Sequence, residues 1–203
     1  MLKLFHAPRS CSLAAHIALE QSNLEYDVSI VNFAQSEQRQ QEYLKVNPKG
    51  RVPALVTEQG VLTENPAILM YIAMTAPAAK LIPDDPFELS KVLSFNAYLS
   101  STVHVAHAHG HRGYRWADDE SAIQAMSSKM PENMTKYFEQ IENSMLEGPW
   151  VLGDTYSIAD IYLFTISGWL KADGVDINLF PKVKQHREKV AAIPAVKKVV
   201  DAQ

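Results

Sequence analysis

The spacing of apolar positions changes repeatedly along the first third of the chain, which is the mark of a mixed α/β unit. Leu2–Phe5 reads as a short buried strand, ended by Pro8-Arg9-Ser10. Apolar residues at Leu13, Ala14, Ile17 and Ala18 then recur at helical spacing as far as Gln21. Tyr26, Val28, Ile30 and Val31 predict a second strand, and the Gln/Glu-rich stretch from Gln35 to Leu44 a polar helix. Asn47-Pro48-Lys49-Gly50 marks a turn. The segments Val52–Val56 and Val61-Leu62 flank Gln59-Gly60 as a hairpin, and Ala67–Met74 supplies a third helix. Residues 1–76 therefore read as βαβ followed by ββα.

Prolines at 77, 83 and 86 disfavour helix and sheet, which makes 77–86 a linker. Beyond Phe87 the patterning is helical throughout: Leu89–His109, Ser121–Leu146, Ile158–Ala172, Phe180–Ala192 and a short helix after Pro194. Residues 87–203 read as an all-α domain. There is no internal repeat to suggest a solenoid.

Composition narrows the class. Hydrophobic residues make up 47% and charged residues 21% of the 203, which excludes disorder and collagen-like structure. Nineteen basic against 23 acidic residues leave a net charge of −4, without the basic excess of a nucleic-acid binder. A single cysteine, Cys11, cannot close an intramolecular disulfide, so a cytoplasmic location is expected. No signal-peptide pattern opens the chain, and its richest apolar stretch, Ile158–Leu170, is broken by Asp160, Ser167 and Gly168, so no membrane span is expected.

Four places carry candidate chemistry. Cys11 lies between the first strand and the first helix, where its sulfur faces the positive end of a helix dipole that favours thiolate. This position outweighs the ordinary reading of a lone cysteine as a small buried hydrophobe. Val52-Pro53 enters a strand where proline cannot donate to the ladder. Cis occurs in only about 5% of X–Pro bonds, so trans is the local expectation, although a cis bond would free the Val52 backbone to pair with an extended ligand. Glu64-Asn65-Pro66 precedes a helix whose orphan N–H groups suit a carboxylate; locally it reads as a cap, with Asn65 at N-cap and Pro66 at N1. His104, His107 and His111 share one helical face at a spacing that could ligate zinc, beside His109. The helix is expected to fray near Gly110, and no Cys, Asp or Glu lies within the cluster. A solvated or cleft-lining histidine face without metal is expected. Ser157-Ile158-Ala159-Asp160 reads as a capping box with Tyr156 and Ile161 as its staple.

Together, Cys11-Ser12-Leu13-Ala14-Ala15-His16-Ile17, Asn47-Pro48-Lys49-Gly50-Arg51-Val52-Pro53-Ala54-Leu55, Thr63-Glu64-Asn65-Pro66-Ala67-Ile68 and Ser157-Ile158-Ala159-Asp160-Ile161-Tyr162 make a pattern that resembles the cytosolic glutathione transferases, the bacterial beta class in particular. The resemblance spans the chain. It implies a thioredoxin-like N-terminal domain that binds glutathione as co-substrate, a helical domain with an apolar pocket for small hydrophobic electrophiles, a homodimer, and no metal, nucleic acid or membrane. It further implies a cis Pro53, a Val52 backbone paired with the cysteinyl part of glutathione, and Glu64 and Asn65 at its γ-glutamyl end. Cys11 and Ser12 would lie beside the glutathione sulfur, His104 would reach in from the helical domain, and Trp169 would line the electrophile pocket. The chain departs from the family pattern at Val105, where a lysine is usual, at Thr102, where an acid is usual, and at His6, where a tyrosine is usual. The usual lysine after the second strand is also absent from Asn32–Gln41. These departures imply weaker glutathione binding. The resemblance leaves three activities open: conjugation, thiol-disulfide exchange through Cys11, and ligand binding without turnover.

Overall fold

The computed structural model describes residues 1–203, which divide into two compact units: Met1–Asp84 with Val190–Gln203, and Asp85–Lys189. The first is a thioredoxin-like unit on a four-stranded sheet, made of β1 (Leu2–His6), β2 (Tyr26–Ile30), β3 (Ala54–Thr57) and β4 (Gly60–Thr63) in the order β2-β1-β3-β4. Strand β1 runs parallel to β2, with Leu4 opposite Val28, and antiparallel to β3, with Leu4 opposite Leu55. A parallel pair needs a crossover, which α1 (Ser12–Ser22) provides. Its small residues Ala14, Ala15 and Ala18 are fully buried and let the helix lie close to its neighbours. Ile68, Leu69 and Ile72 of α3 (Asn65–Thr75) fill the same core.

The polar helix expected over Gln35–Leu44 does not form as one piece. Asn32 Oδ1 instead accepts from the N–H groups of Ala34 and Gln35 at 3.0 and 3.3 Å, and Ser36 turns the chain at φ +54. The result is two 3-10 turns, Phe33–Gln35 and Glu37–Arg39, and a one-turn helix α2 (Gln41–Leu44). Side-chain competition for backbone donors decides this where there is no apolar stripe to bury.

The second unit is all-helical: α4 (Pro86–Tyr98), α5 (His104–Arg112), α6 (Glu120–Gln140), α7 (Ile158–Ser167) and α8 (Pro181–Ala191), with π-helical turns at Leu99–Val103 and Ile141–Met145. Helix α5 does not fray at Gly110 but runs on to Arg112. Gly110 faces Met130 of α6, where a Cβ would come within 2.8 Å of the Met130 Cγ. All ten residues of α7 are buried. Its capping box forms as expected: Ser157 Oγ accepts from Ala159 N–H at 3.2 Å and Asp160 Oδ2 from Ser157 N–H at 2.7 Å. Asp160 Oδ1 also accepts from Val151 N–H at 2.8 Å and lies 2.9 Å from His186 Nε2, so this wholly buried carboxylate ties a loop, a helix start and α8 together. Tyr156, expected to staple against Ile161, lies edge-on to Trp150. At the other end of α7, Arg187 donates to the Phe164 carbonyl at 2.5 Å, closing the helix end.

The final helix, α9 (Pro194–Asp201), packs on α1, buries Val196 and Val199, and pairs Lys198 Nζ with Glu20 at 2.6 Å. By its contacts the segment 190–203 groups with the first unit. The valine pair marks an apolar face but not which surface receives it. No helix is long and apolar enough to cross a membrane.

Two consequences for stability can be measured. Asp160→Ala leaves three buried donors without their acceptor and is expected to cost about 3–5 kcal/mol, read from urea unfolding. The second concerns His6, almost wholly buried at the end of β1 with Nδ1 2.7 Å from Ser12 Oγ. Burial, with His16 adding like charge, lowers its pKa from 6.5 to about 4. The unfolded chain therefore binds the extra proton first, and stability falls as pH drops from about 6.5 through about 4, with about 3 kcal/mol as the full loss from this group. His6→Gln is expected to remove that share of the slope, measured as unfolding midpoints at neutral and acid pH.

Candidate functional site

In the first unit the candidate residues converge on the junction between β1 and α1. Cys11 stands at the start of α1 with its side chain partly exposed, and its S–H donates to the Val52 carbonyl at 3.2 Å. Its own carbonyl accepts from Asn65 Nδ2 at 2.6 Å. One residue thereby links segments 41 and 54 positions away in the sequence.

The helix start is less open than its sequence suggests. Ser12 N–H donates to Ser10 Oγ at 3.2 Å and Leu13 N–H to the Ser10 carbonyl at 3.1 Å, so two donors expected to face a thiolate are already engaged. Ser12 itself is fully buried. Its Oγ accepts from Ala7 N–H at 3.1 Å and lies 2.7 Å from both His6 Nδ1 and Ser10 Oγ. These partners enclose the hydroxyl, which holds the loop that carries Cys11.

The Val52–Pro53 peptide is cis, as the resemblance implied and against the local expectation of trans. Val52 stands just ahead of β3, outside the ladder, and the loop's hydrogen bonds leave its N–H unpaired. The preceding carbonyl, that of Arg51, is held by Tyr43 Oη and Asn47 Nδ2, each at 2.6 Å. Burial pushes the Tyr43 hydroxyl up to about 12, which keeps it a donor at neutral pH.

Helix α3 begins at Asn65, not after it, and has no side-chain cap. The Asn65 amide is drawn to Cys11 instead, and its Oδ1 is buried without a hydrogen-bond partner. Glu64 occupies the cap position at φ +74 and ψ 123, a conformation costly for any residue with a side chain. Its carboxylate is exposed and paired with Lys49 Nζ, which also donates to Thr63 Oγ1 at 2.6 Å. An unpaired peptide edge, a partly exposed thiol and an uncapped helix start beside a surface carboxylate suit an extended, peptide-like ligand bearing both an amine and a carboxylate.

In the second unit His104 lies against Trp169, with ring centroids 4.9 Å apart, and His107 stacks on the same indole at 4.3 Å and 25°. His109 turns away to meet Trp116 edge-on. The sequence reading missed Asp173. Its carboxylate lies 2.8 Å from both His107 Nδ1 and His111 Nε2 and is buried. Asp173 is 66 residues beyond His107, in the turn Ala172-Asp173-Gly174, where aspartate before a glycine at φ +74 reads only as turn chemistry. Burial lowers the pKa of His107, partly opposed by Asp173.

Comparison with known proteins agrees with both units. Residues 1–74 match the family model "Glutathione S-transferase, N-terminal domain" and residues 107–203 match "Glutathione S-transferase, C-terminal domain". The chain is 31% identical to glutathione S-transferase GST-4.5 of Xanthomonas campestris pv. campestris, over 87% of this chain and 86% of that protein. It is 28% identical to the maleylacetoacetate isomerase of Pseudomonas aeruginosa, over 96% and 93%. A crystal structure of a glutathione transferase homolog from Sulfitobacter with bound glutathione superposes with a TM-score of 0.97 at 43% identity, covering 100% of this chain and 98% of that one. The motifs at Cys11, Val52-Pro53, Glu64-Asn65 and Ser157–Asp160 thus stand in a chain whose two units both carry the family's signature, and the protein is an enzyme of the glutathione S-transferase family.

Proposed function

We propose that this protein is a beta-class glutathione transferase that joins reduced glutathione to small hydrophobic electrophiles. The observation that carries this reading is the double tie of Cys11 to the Val52 carbonyl and the Asn65 amide, which brings the segments of both glutathione-facing motifs to one residue. In this reading the free Val52 N–H pairs with the cysteinyl portion of glutathione as an added strand would. Glu64 takes the γ-glutamyl ammonium, exchanging its present partner Lys49 for the ligand. The uncapped start of α3 receives the adjoining carboxylate. The glutathione thiol gives its proton to water, and the thiolate forms a bond to the electrophilic carbon; with an aryl halide the carbon–halogen bond then breaks and halide leaves. His104 and Trp169 serve the electrophile, and the protein acts as a cytoplasmic homodimer in detoxification.

A second reading has an observation of its own. Ser12 is enclosed and the Ser12 and Leu13 N–H groups are engaged, whereas the Cys11 side chain is partly exposed, so the reactive sulfur near this helix start can be the protein's own. As an oxidoreductase, Cys11 thiolate attacks the glutathione sulfur of a mixed disulfide and releases the substrate thiol. A second glutathione thiolate then attacks the glutathione sulfur of the Cys11–glutathione disulfide, which forms glutathione disulfide and releases the Cys11 thiolate.

One variant separates the readings. Cys11→Ala is expected to retain measurable conjugation to an aryl halide and to abolish reduction of a small mixed disulfide, since no second cysteine exists to substitute. Complete loss of conjugation in a folded variant makes the cysteine indispensable and favours the redox reading; wild-type protein without either activity points to ligand binding alone. Glu64→Ala is expected to weaken glutathione binding by about 1.5 kcal/mol, the low end for a charged hydrogen bond, because Glu64 is exposed and already paired. Calorimetric titration with glutathione measures it, and unchanged affinity removes Glu64 from the site.

A further inference from the structure

We infer that His107, His111 and Asp173 form a binding site for one divalent first-row transition metal ion, with three protein ligands and an open fourth position. The nitrogens come from one helix. His107 and His111 are four residues apart on α5, so they project from the same face one turn apart, and the turn between them stays helical because Gly110 accommodates Met130. Asp173, from the turn after α7, completes the set, and the three ligand atoms all lie within 4.8 Å of one another. Ligands at about 2.0–2.2 Å from a tetrahedral ion stand about 3.3 Å apart. The carboxylate must therefore retreat about half an ångström from each nitrogen while the two nitrogens close on each other, a range that side-chain torsions cover.

The chemistry of the donors selects the ion. Two imidazoles and one carboxylate suit zinc, nickel, cobalt or iron(II), whereas magnesium and calcium take oxygen ligands. Asp173 is wholly buried, a placement that carboxylates adopt when paired or bound to metal, and both groups at 2.8 Å from it are imidazoles that can themselves be ligands. Trp169, stacked on His107, restricts rotation of that ring, as a supporting shell does around a metal ligand. On binding, each imidazole gives up the nitrogen that now faces Asp173, its proton passing to the other ring nitrogen or to water. Arg112, next along α5, bears on His107 electrostatically and is the charge against which the cation competes. The four-histidine run in the sequence lacked a carboxylate, and the fold supplies it.

The test uses the full chain, stripped with a chelator, dialysed and titrated with zinc chloride alone in a calorimeter, without glutathione. It is therefore independent of whether glutathione is the co-substrate. One equivalent per chain is expected, with a dissociation constant of micromolar or below. His111→Ala, on the exposed side of α5, and His107→Ala are each expected to weaken binding at least tenfold, while His109→Ala, turned toward Trp116, leaves it unchanged. Cobalt(II) in place of zinc is expected to give the visible absorption of a four-coordinate site in wild type and to lose it in His111→Ala. No saturable binding, or an affinity that neither His107→Ala nor His111→Ala lowers, overturns the assignment.

Discussion

The hydroxyl of Ser12 is the contact on which the first unit's chemistry depends. It joins the end of β1, through His6 and the Ala7 N–H, to the loop at Ser10, in a buried setting. A buried hydroxyl with every site engaged has one geometry, because each alternative leaves a donor or acceptor unpaired at about 1–3 kcal/mol. The rigidity reaches Cys11, the next residue back, and through its sulfur and carbonyl reaches Val52 and Asn65. The Ser12 hydroxyl thus fixes the position of the neighbouring sulfur.

The helical unit contains two buried carboxylates whose surroundings differ in kind. Asp160 faces the His186 imidazole of α8 and two backbone N–H groups, and the latter cannot leave because they belong to a helix start and its adjoining loop. Such an arrangement is architectural. Asp173 faces two imidazoles, side chains that can change tautomer or turn to other partners. The same functional group serves as a fixed fastening in one place and as part of an exchangeable set in the other, according to whether backbone amides are among its donors.

Local pattern carried some features and not others. The strands, α1 and the capping box were readable because periodicity and cap chemistry act within a few residues. The cis bond at Pro53 was not readable from Val52-Pro53 itself and entered only through the wider resemblance. Gln35–Leu44 has the composition of a helix, but Asn32 Oδ1 takes two backbone donors and Ser36, at φ +54, resets the chain direction. No sequence signal separates Cys11 and Ser12, successive residues at a helix start, into one that is partly exposed and one that is buried. Asp173 joined the histidines only through tertiary packing, across 62 residues from His111.

The placement of α9 has a consequence for how the protein is made. Val196 and Val199 cover α1, and α1 is the crossover on which the parallel pairing of β1 and β2 depends. A chain emerging from the ribosome presents the whole sheet early and this covering helix last, after every residue of the helical unit. The first unit to begin folding is therefore the last to be completed. Until Lys198 reaches Glu20, the nascent chain exposes an apolar strip on α1, and a stall in translation anywhere in the helical unit leaves that strip open to chaperones.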